Sequence, residues 1–234
     1  MIRPSGTPVE NVRTVTDYPA DEIPKFVLLG FKPQKLEEVA PRLAPHVTGA
    51  TILVSMLAGV RVDALRDRFP EARAVVRVMP NLPVAQRAGV IALFSVDSDP
   101  DAREAVAELM SLLGVAPWCS NEQQFAAIGA VAGAGPAYVA RFATAMARGG
   151  EKLGLDPDLA EAVAVQTLVG TALLVNATGE SMAEIARRVA SPKGTTEQGL
   201  AVLDAADGLQ PLVDRMLAAA SRRGEELAAE ARRN

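Results

Sequence analysis

Short apolar runs and helical periodicities alternate along the first half of the chain. "FVLLG" (26–30), "TILVSM" (51–56), "AVVRVM" (74–79) and "VIALFS" (90–95) are dense in β-branched and aliphatic residues and read as buried strands. Between them "PQKLEEVAPRL", "RVDALRDRF" and "PDAREAVAELMSLLG" repeat their apolar positions every three or four residues, the spacing of one helix face. Strands and helices in turn imply right-handed crossovers and an α/β fold with a mainly parallel sheet covered on both faces. Sheets of this kind take ligands beyond the carboxyl ends of their strands. The residues that follow each run, in "FKPQ", "LAGV" and "MPNLP", therefore carry the most chemical interest.

Beyond about residue 120 the strand pattern does not return. "NEQQFAAIGAVAG", "GPAYVARFATAMARGGEKLG", "DPDLAEAVAVQTLVGTALLVNA", "MAEIARRVA", "TTEQGLAVLDAA" and "LQPLVDRMLAAASRRGEELAAEARR" read as helices punctuated by Gly, Pro and Asp. The expected division is a sheet domain over 1–119 and an all-α domain over 120–234. The helix around 158–175 is apolar almost all round, the pattern of a helix buried on every side. So small a helical region could hardly bury it unaided, which predicts a partner subunit. Glu161, Gln166, Thr167 and Thr171 interrupt the stretch, which on this reading falls short of the roughly 20 apolar residues of a membrane span.

Composition narrows the chemistry. The 234 residues carry a formal net charge of −4, which advertises no basic surface for nucleic acid or an anionic membrane. One cysteine rules out a disulfide framework and fits a reducing, cytoplasmic compartment. The opening "MIRPSGTPVENV" has no apolar core of a secretory signal. The one histidine, His46, follows a proline in "LAPHVTGA", so a histidine-based zinc site or a Ser-His-Asp triad is close to excluded.

"VASPKGTTEQGL" (189–200) concentrates conformationally special residues at one point. Thr195 with Gln198 three residues on has the spacing of a capping box, with Pro192 and Gly194 shaping the turn before it. A helix start also leaves backbone N–H groups unpaired at its positive end, which suits an anion. The dinucleotide fingerprint G-x-G-x-x-G after a first strand is absent; "GAGPAY" follows a helical pattern and lacks the third glycine.

"VVRVMPNLPVAQRAGVIAL", "AGAGPAYVARFATAMARGGEKLGL" and "ASPKGTTEQGLAVLD", in that order, resemble the pyrroline-5-carboxylate reductases, the third most specifically through its Ser-Pro-x-Gly-x-Thr core. The resemblance runs the length of the chain. It implies a Rossmann-type NAD(P)-binding domain followed by an all-α domain that interlocks two subunits, as a homodimer or a larger assembly of dimers. It also implies reduction of 1-pyrroline-5-carboxylate to L-proline with NADPH or NADH. Against the family pattern the chain is expected to begin at the second strand, as an N-terminally truncated Rossmann-type sheet without the first βα unit. Either the true start lies upstream of Met1 or the protein is a shortened one, and the chain as given is then expected to bind NADPH very weakly and to be inactive or nearly so. A non-catalytic paralogue that dimerises, and a reductase of a related cyclic imine, stand as alternatives.

By the same resemblance Lys32, Pro33, Leu57 and Ala58 would line the dinucleotide, and Ser5, beside Arg3, would sit where a 2′-phosphate is held. Glu122 matches a family glutamate near the nicotinamide. The amides of Gly194, Thr195 and Thr196 would receive the substrate carboxylate. The Thr196 hydroxyl would serve the imine nitrogen or a proton-relaying water, and Glu180 would lie beside the ring nitrogen. No metal, nucleic acid or membrane is implied. Leu82, Ala132, Ala134 and Lys193 depart from the family's usual Thr, Ser, Ser and Gly.

Overall fold

The computed structural model describes residues 1–3, 5–19 and 22–231. Five strands form one sheet in the order of the chain: β1 (Phe26–Leu29), β2 (Ile52–Ser55), β3 (Ala74–Pro80), β4 (Gly89–Phe94) and the short β5 (Gly114–Val115). β1, β2 and β3 run parallel, with Phe26 beside Ile52 and Ile52 beside Ala74. β4 then turns back antiparallel, Arg77 opposite Phe94 and Pro80 opposite Ile91. The alternation of runs implies a mainly parallel sheet, as found, and β3–β4 is the one antiparallel step among the described strands. Only a short turn from Asn81 to Ala88, partly 3₁₀, joins β3 to β4, and a parallel return needs a dozen residues or more.

That reversal decides where the helices lie. α1 (Leu36–Leu43) and α2 (Val62–Arg68) cross over between parallel strands and pack on one face, their Leu36, Ala40, Leu43, Val62 and Leu65 against Leu29, Leu53 and Val75. α3 (Pro100–Ser111) also progresses from one strand to the next, but the strands now point the other way. A right-handed crossover then falls on the opposite face. There Ala102, Val106 and Met110 meet Ile52, Val54, Val76, Val78, Ile91 and Leu93. β2 is buried along its whole length, as expected of a strand sandwiched by helices.

The chain divides into two compact units. One comprises Met1–Gly133 with the end of the last helix from Arg223, the other Ala134–Arg222. The first takes in α4 (Glu122–Ile128), because Phe125 is buried in the core of the sheet. A turn of π-helix, Gly129–Gly133, follows α4.

The second unit is built from α5 (Gly135–Lys152), α6 (Pro157–Thr178), α7 (Met182–Val189), α8 (Thr195–Leu203) and the first part of α9 (Leu209–Ala231). α5 and α6 meet through small residues, with Ala147, Ala160 and Ala164 buried between them. The Asp156 side chain accepts from the amides of Asp158 and Leu159 to cap α6, and Gly179, at φ +71°, ends it. Within the single chain α6 is not a buried helix. Only Ala160 and Ala164 are buried, while Leu159, Val163, Val165, Val169 and Leu173 stand about half exposed. The 22-residue α6 and the stretch Glu122–Lys152 are also long and apolar enough, by length and composition, to cross a membrane. The polar interruptions in α6 are thus too few to exclude a span.

Candidate active site

Because β1, β2 and β3 run parallel, the segments that follow them lie along one edge of the sheet. Lys32 and Pro33 follow β1 and open a 3₁₀ turn with Lys32 exposed. Leu57, Ala58 and Gly59 follow β2. The Leu57 amide donates to the Ser55 hydroxyl at 3.3 Å, and Gly59 takes φ +77°, a backbone that suits glycine. Leu57 itself is 3 % exposed and packed in the sheet core, so what it offers a ligand is backbone; Ala58 is exposed. These segments bring small residues, Ala58 and Gly59, and the exposed cation of Lys32 to that end of the sheet.

After β3 the chain makes a tight clamp. The Asn81 side-chain carbonyl accepts from the Val90 amide at 2.9 Å, and its NH₂ donates to the Ala132 carbonyl at 3.0 Å. One side chain thus ties the β3–β4 turn to the π-helical turn. Met79 closes the same gap: a Cβ placed on Gly129 would stand 2.8 Å from its Cε. Leu82, where the family carries threonine, is 80 % exposed.

Glu122 starts α4, whose cap is Asn121, accepting from the Gln124 amide at 2.8 Å. Its carboxylate does not point freely outward. It accepts from Arg77 of β3 at 2.5 Å, and the Arg77 guanidinium lies 4.6 Å from the centre of the Phe125 ring. Arg77 is the one charged side chain that is buried among the described residues. Nothing in the sequence reading singled it out. The signal was present nonetheless, a lone arginine inside the apolar run "AVVRVM".

Ser5 is exposed, its hydroxyl 3.0 Å from that of Thr7, while Arg3 reaches the Thr7 carbonyl at 3.5 Å. Neighbouring Pro4 lies outside the described residues. His46 stacks on Tyr18 with ring centres 4.7 Å apart. A shallow hollow lies at the other edge of the sheet, lined by Ser95, Asp97, Arg103 and Trp118, and none of the ligand-edge residues contributes to it.

In the helical unit the predicted residues flank α7. Glu180 precedes it and is paired with Arg188 at 3.2 Å. Gly194, Thr195 and Thr196 follow it at the start of α8. The expected capping box does not form here: Gly194 occupies the cap and no side chain caps the helix. The reason lies one residue earlier, where Lys193 takes φ +60° and its amide donates to the Glu197 carboxylate at 2.7 Å. The box is instead found at α7, with Ser181 and Glu184 satisfying each other's amides. Those bonds, from the Ser181 amide and hydroxyl, hold the Glu184 carboxyl below its ordinary range.

Gly194 also differs from expectation, because its amide is spent on the Ser191 carbonyl at 2.9 Å. The turn is tight: a Cβ on Gly194 would fall 2.4 Å from the Ser191 hydroxyl. The N–H groups of Thr195 and Thr196, at the first two helical positions, have no carbonyl behind them within α8.

A mainly parallel, Rossmann-like sheet unit joined to a helical unit defines the two-part architecture of a nucleotide-dependent oxidoreductase fold. Residues 122–227 match the pyrroline-5-carboxylate reductase dimerisation family. The chain is 38 % identical over 203 residues to pyrroline-5-carboxylate reductase of Pseudomonas aeruginosa, covering 86 % of this chain and 74 % of that protein. The Synechocystis enzyme of the same name is 36 % identical over 89 % of this chain and 77 % of its own. Among solved structures, a pyrroline-5-carboxylate reductase from Coxiella burnetii superposes with a TM-score of 0.86 at 32 % identity, over 92 % of this chain and 81 % of that one. The Plasmodium falciparum pyrroline carboxylate reductase with NADP bound, 22 % identical over 87 % and 77 %, shares the fold at a TM-score of 0.71. The chain belongs to the pyrroline-5-carboxylate reductase family.

Proposed function

We propose that this chain reduces 1-pyrroline-5-carboxylate to L-proline with NAD(P)H, as a homodimer in the cytoplasm. Family membership over most of the chain carries the reading, with "SPKGTT" at a helix start whose leading amides are free. Residues 1–119 serve as the NAD(P)-binding domain and 120–234 as the dimerisation and substrate domain.

The strand-end segments suit a dinucleotide. Ala58 and Gly59 keep side chains out of its way, Pro33 stiffens the first turn, and Lys32 brings positive charge. Ser5 has a hydroxyl to offer a ribose or its phosphate. When bound, NAD(P)H supplies the hydride that reduces the imine carbon. The protein's own part is to hold, orient and protonate. At α8 the amides of Thr195 and Thr196 receive the substrate carboxylate, with Gly194 shaping their turn. Hydrogen bonds to a charged group contribute about 1.5–3 kcal/mol each, and the helix terminus adds about 0.3–1 kcal/mol. The Thr196 hydroxyl contacts the imine nitrogen or the water that brings its proton. Glu180, steadied by Arg188, places negative charge beside the protonated ring nitrogen. Glu122 serves the cofactor side of the site. Holding the two reactants in register supplies most of the acceleration.

The test is direct: incubate the purified chain with 1-pyrroline-5-carboxylate and NADPH, following loss of NADPH absorbance and formation of proline. Stoichiometric proline supports the proposal. A folded protein that forms none, both as given and when extended upstream by a strand and a Gly-x-Gly-x-x-[Gly/Ala] turn, overturns it.

A further inference from the structure

Arg77 is an unusual residue to bury. It sits on β3 with its side chain 10 % exposed, on the face of the sheet that carries Val75 and Phe125. A guanidinium removed from water must be paired, or its desolvation is left uncompensated. Glu122 provides that pair at 2.5 Å, and the Phe125 ring lies under the guanidinium at 4.6 Å. Both partners stand in the first two turns of α4, so one sheet residue fixes the start of that helix twice over.

The consequence runs along α4 to its far end. There the helix widens into the π turn Gly129–Gly133, a distortion found often at functional positions. That turn meets the ligand edge through Asn81–Ala132 at 3.0 Å and Met79 against Gly129. The β3–β4 turn and the π turn therefore keep their spacing only while α4 keeps its place. The sheet end that receives α4 is the end of β3, beside which ligands of parallel sheets bind.

We propose that Arg77 and Glu122 are positioning residues for the reductase reaction. Their ion pair locks α4 to β3 and so holds the π turn against Met79 and Asn81 at the rim of the cofactor crevice. Glu122 on this view acts through Arg77, not by touching the cofactor. The proposal rests on the reductase reading above. Its test therefore includes a measurement that needs no turnover.

Three single variants, Glu122→Gln, Arg77→Lys and Arg77→Met, and the double variant Glu122→Gln/Arg77→Met are compared with the wild-type protein. Glu122→Gln keeps the shape and an acceptor but removes the charge; Arg77→Lys keeps the charge but removes the planar fork. Amide hydrogen exchange in the ligand-free proteins is expected to quicken about tenfold or more at 129–133, while exchange in β2 stays as in wild type. kcat is expected to fall about five- to twentyfold, with the KM for the imino acid within about twofold of wild type. The isotope effect with 4-deuterated NADPH should rise, because a displaced crevice slows hydride transfer itself. The double variant should be no worse than the worse single, as expected of two residues acting as one unit. Lower thermal stability with unchanged kcat, isotope effect and exchange at 129–133 would mean a merely structural pair and overturn the proposal. Additive losses in the double variant would overturn it too. A wild-type protein that stays inactive when an upstream strand and glycine-rich turn are added would instead defeat the reductase reading, with the exchange result still deciding whether the latch exists.

Discussion

The exposed face of α6 gives the most quantitative prediction. Leu159, Val163, Val165, Val169 and Leu173 are 46–60 % exposed, whereas Ala160 and Ala164 are buried. Fully burying such a side chain is worth about 1.5–3 kcal/mol, so covering the exposed half of each returns about 0.8–1.5 kcal/mol. Five of them give roughly 4–7 kcal/mol per protomer and twice that for a symmetric pair. Association costs about 4–15 kcal/mol in lost freedom, so α6 alone brings a dimer near balance and a modest further contribution makes it stable. Replacing Val165 with Asp removes one of the five and asks for an unpaired carboxylate in the seam. The expected penalty is at least about 3 kcal/mol per protomer, about 6 kcal/mol for the symmetric pair, or roughly ten-thousandfold in the dimer dissociation constant. Val165→Ala should cost only about 0.5–1 kcal/mol and leave the dimer largely intact. Sedimentation equilibrium over a range of micromolar loadings measures both. A monomeric wild-type protein, or a Val165→Asp protein with unaltered mass at every loading, would refute the reasoning.

Three shorter predictions concern α7, α8 and their caps. Thr196→Val keeps the amide and removes the hydroxyl, so kcat should drop by about tenfold or more with a smaller change in substrate KM; unchanged steady-state kinetics would confine Thr196 to its backbone. Gly194→Ala forces a Cβ into the Ser191 hydroxyl and carbonyl. It should abolish substrate binding, as measured by protection of the enzyme against thermal unfolding by proline, while the melting of the sheet unit changes little. Glu184 is held below its ordinary carboxyl range by Ser181, so its stabilising bonds are intact above about pH 4.5 and are lost as pH falls through the lowered folded value. Glu184→Gln should therefore flatten the decline of Tm from about pH 5 to about pH 3, and an identical acid limb would show that this cap contributes nothing.

Much of the sheet was legible because its strands are short, apolar and β-branched, and the four runs quoted at the outset coincide with β1 to β4. The orientation of β4 was not read from composition, although the few residues between Pro80 and Gly89 leave no room for a crossover. Capping was legible as chemistry and misplaced in position. Thr195 and Gln198 have the right spacing, yet the left-handed backbone at Lys193 sets the helix start so that Gly194 takes the cap. The residues of the dinucleotide edge owe their selection to family likeness. The geometry adds that Leu57 can act only through its backbone and that the Gly194 amide is already engaged. Arg77 escaped notice because one charge in a strand usually means an outward-facing position, whereas here α4 supplies a counter-charge from above. The exposure of α6 could not be read from periodicity, which records that a helix is apolar and not what covers it.

The order of the strands has a kinetic side. Here each strand hydrogen-bonds to its predecessor, from β1 through β5, and each closure spans only the crossover just made. Loop closure grows costlier only slowly with length, and local pairings are reached soonest. These five strands can therefore add outward from a local nucleus, one strand and its covering helix at a time. The antiparallel β3–β4 hairpin has the shortest loop of the series and is the natural nucleus. Substitutions in that hairpin should slow refolding, whereas those in β1 should mainly hasten unfolding.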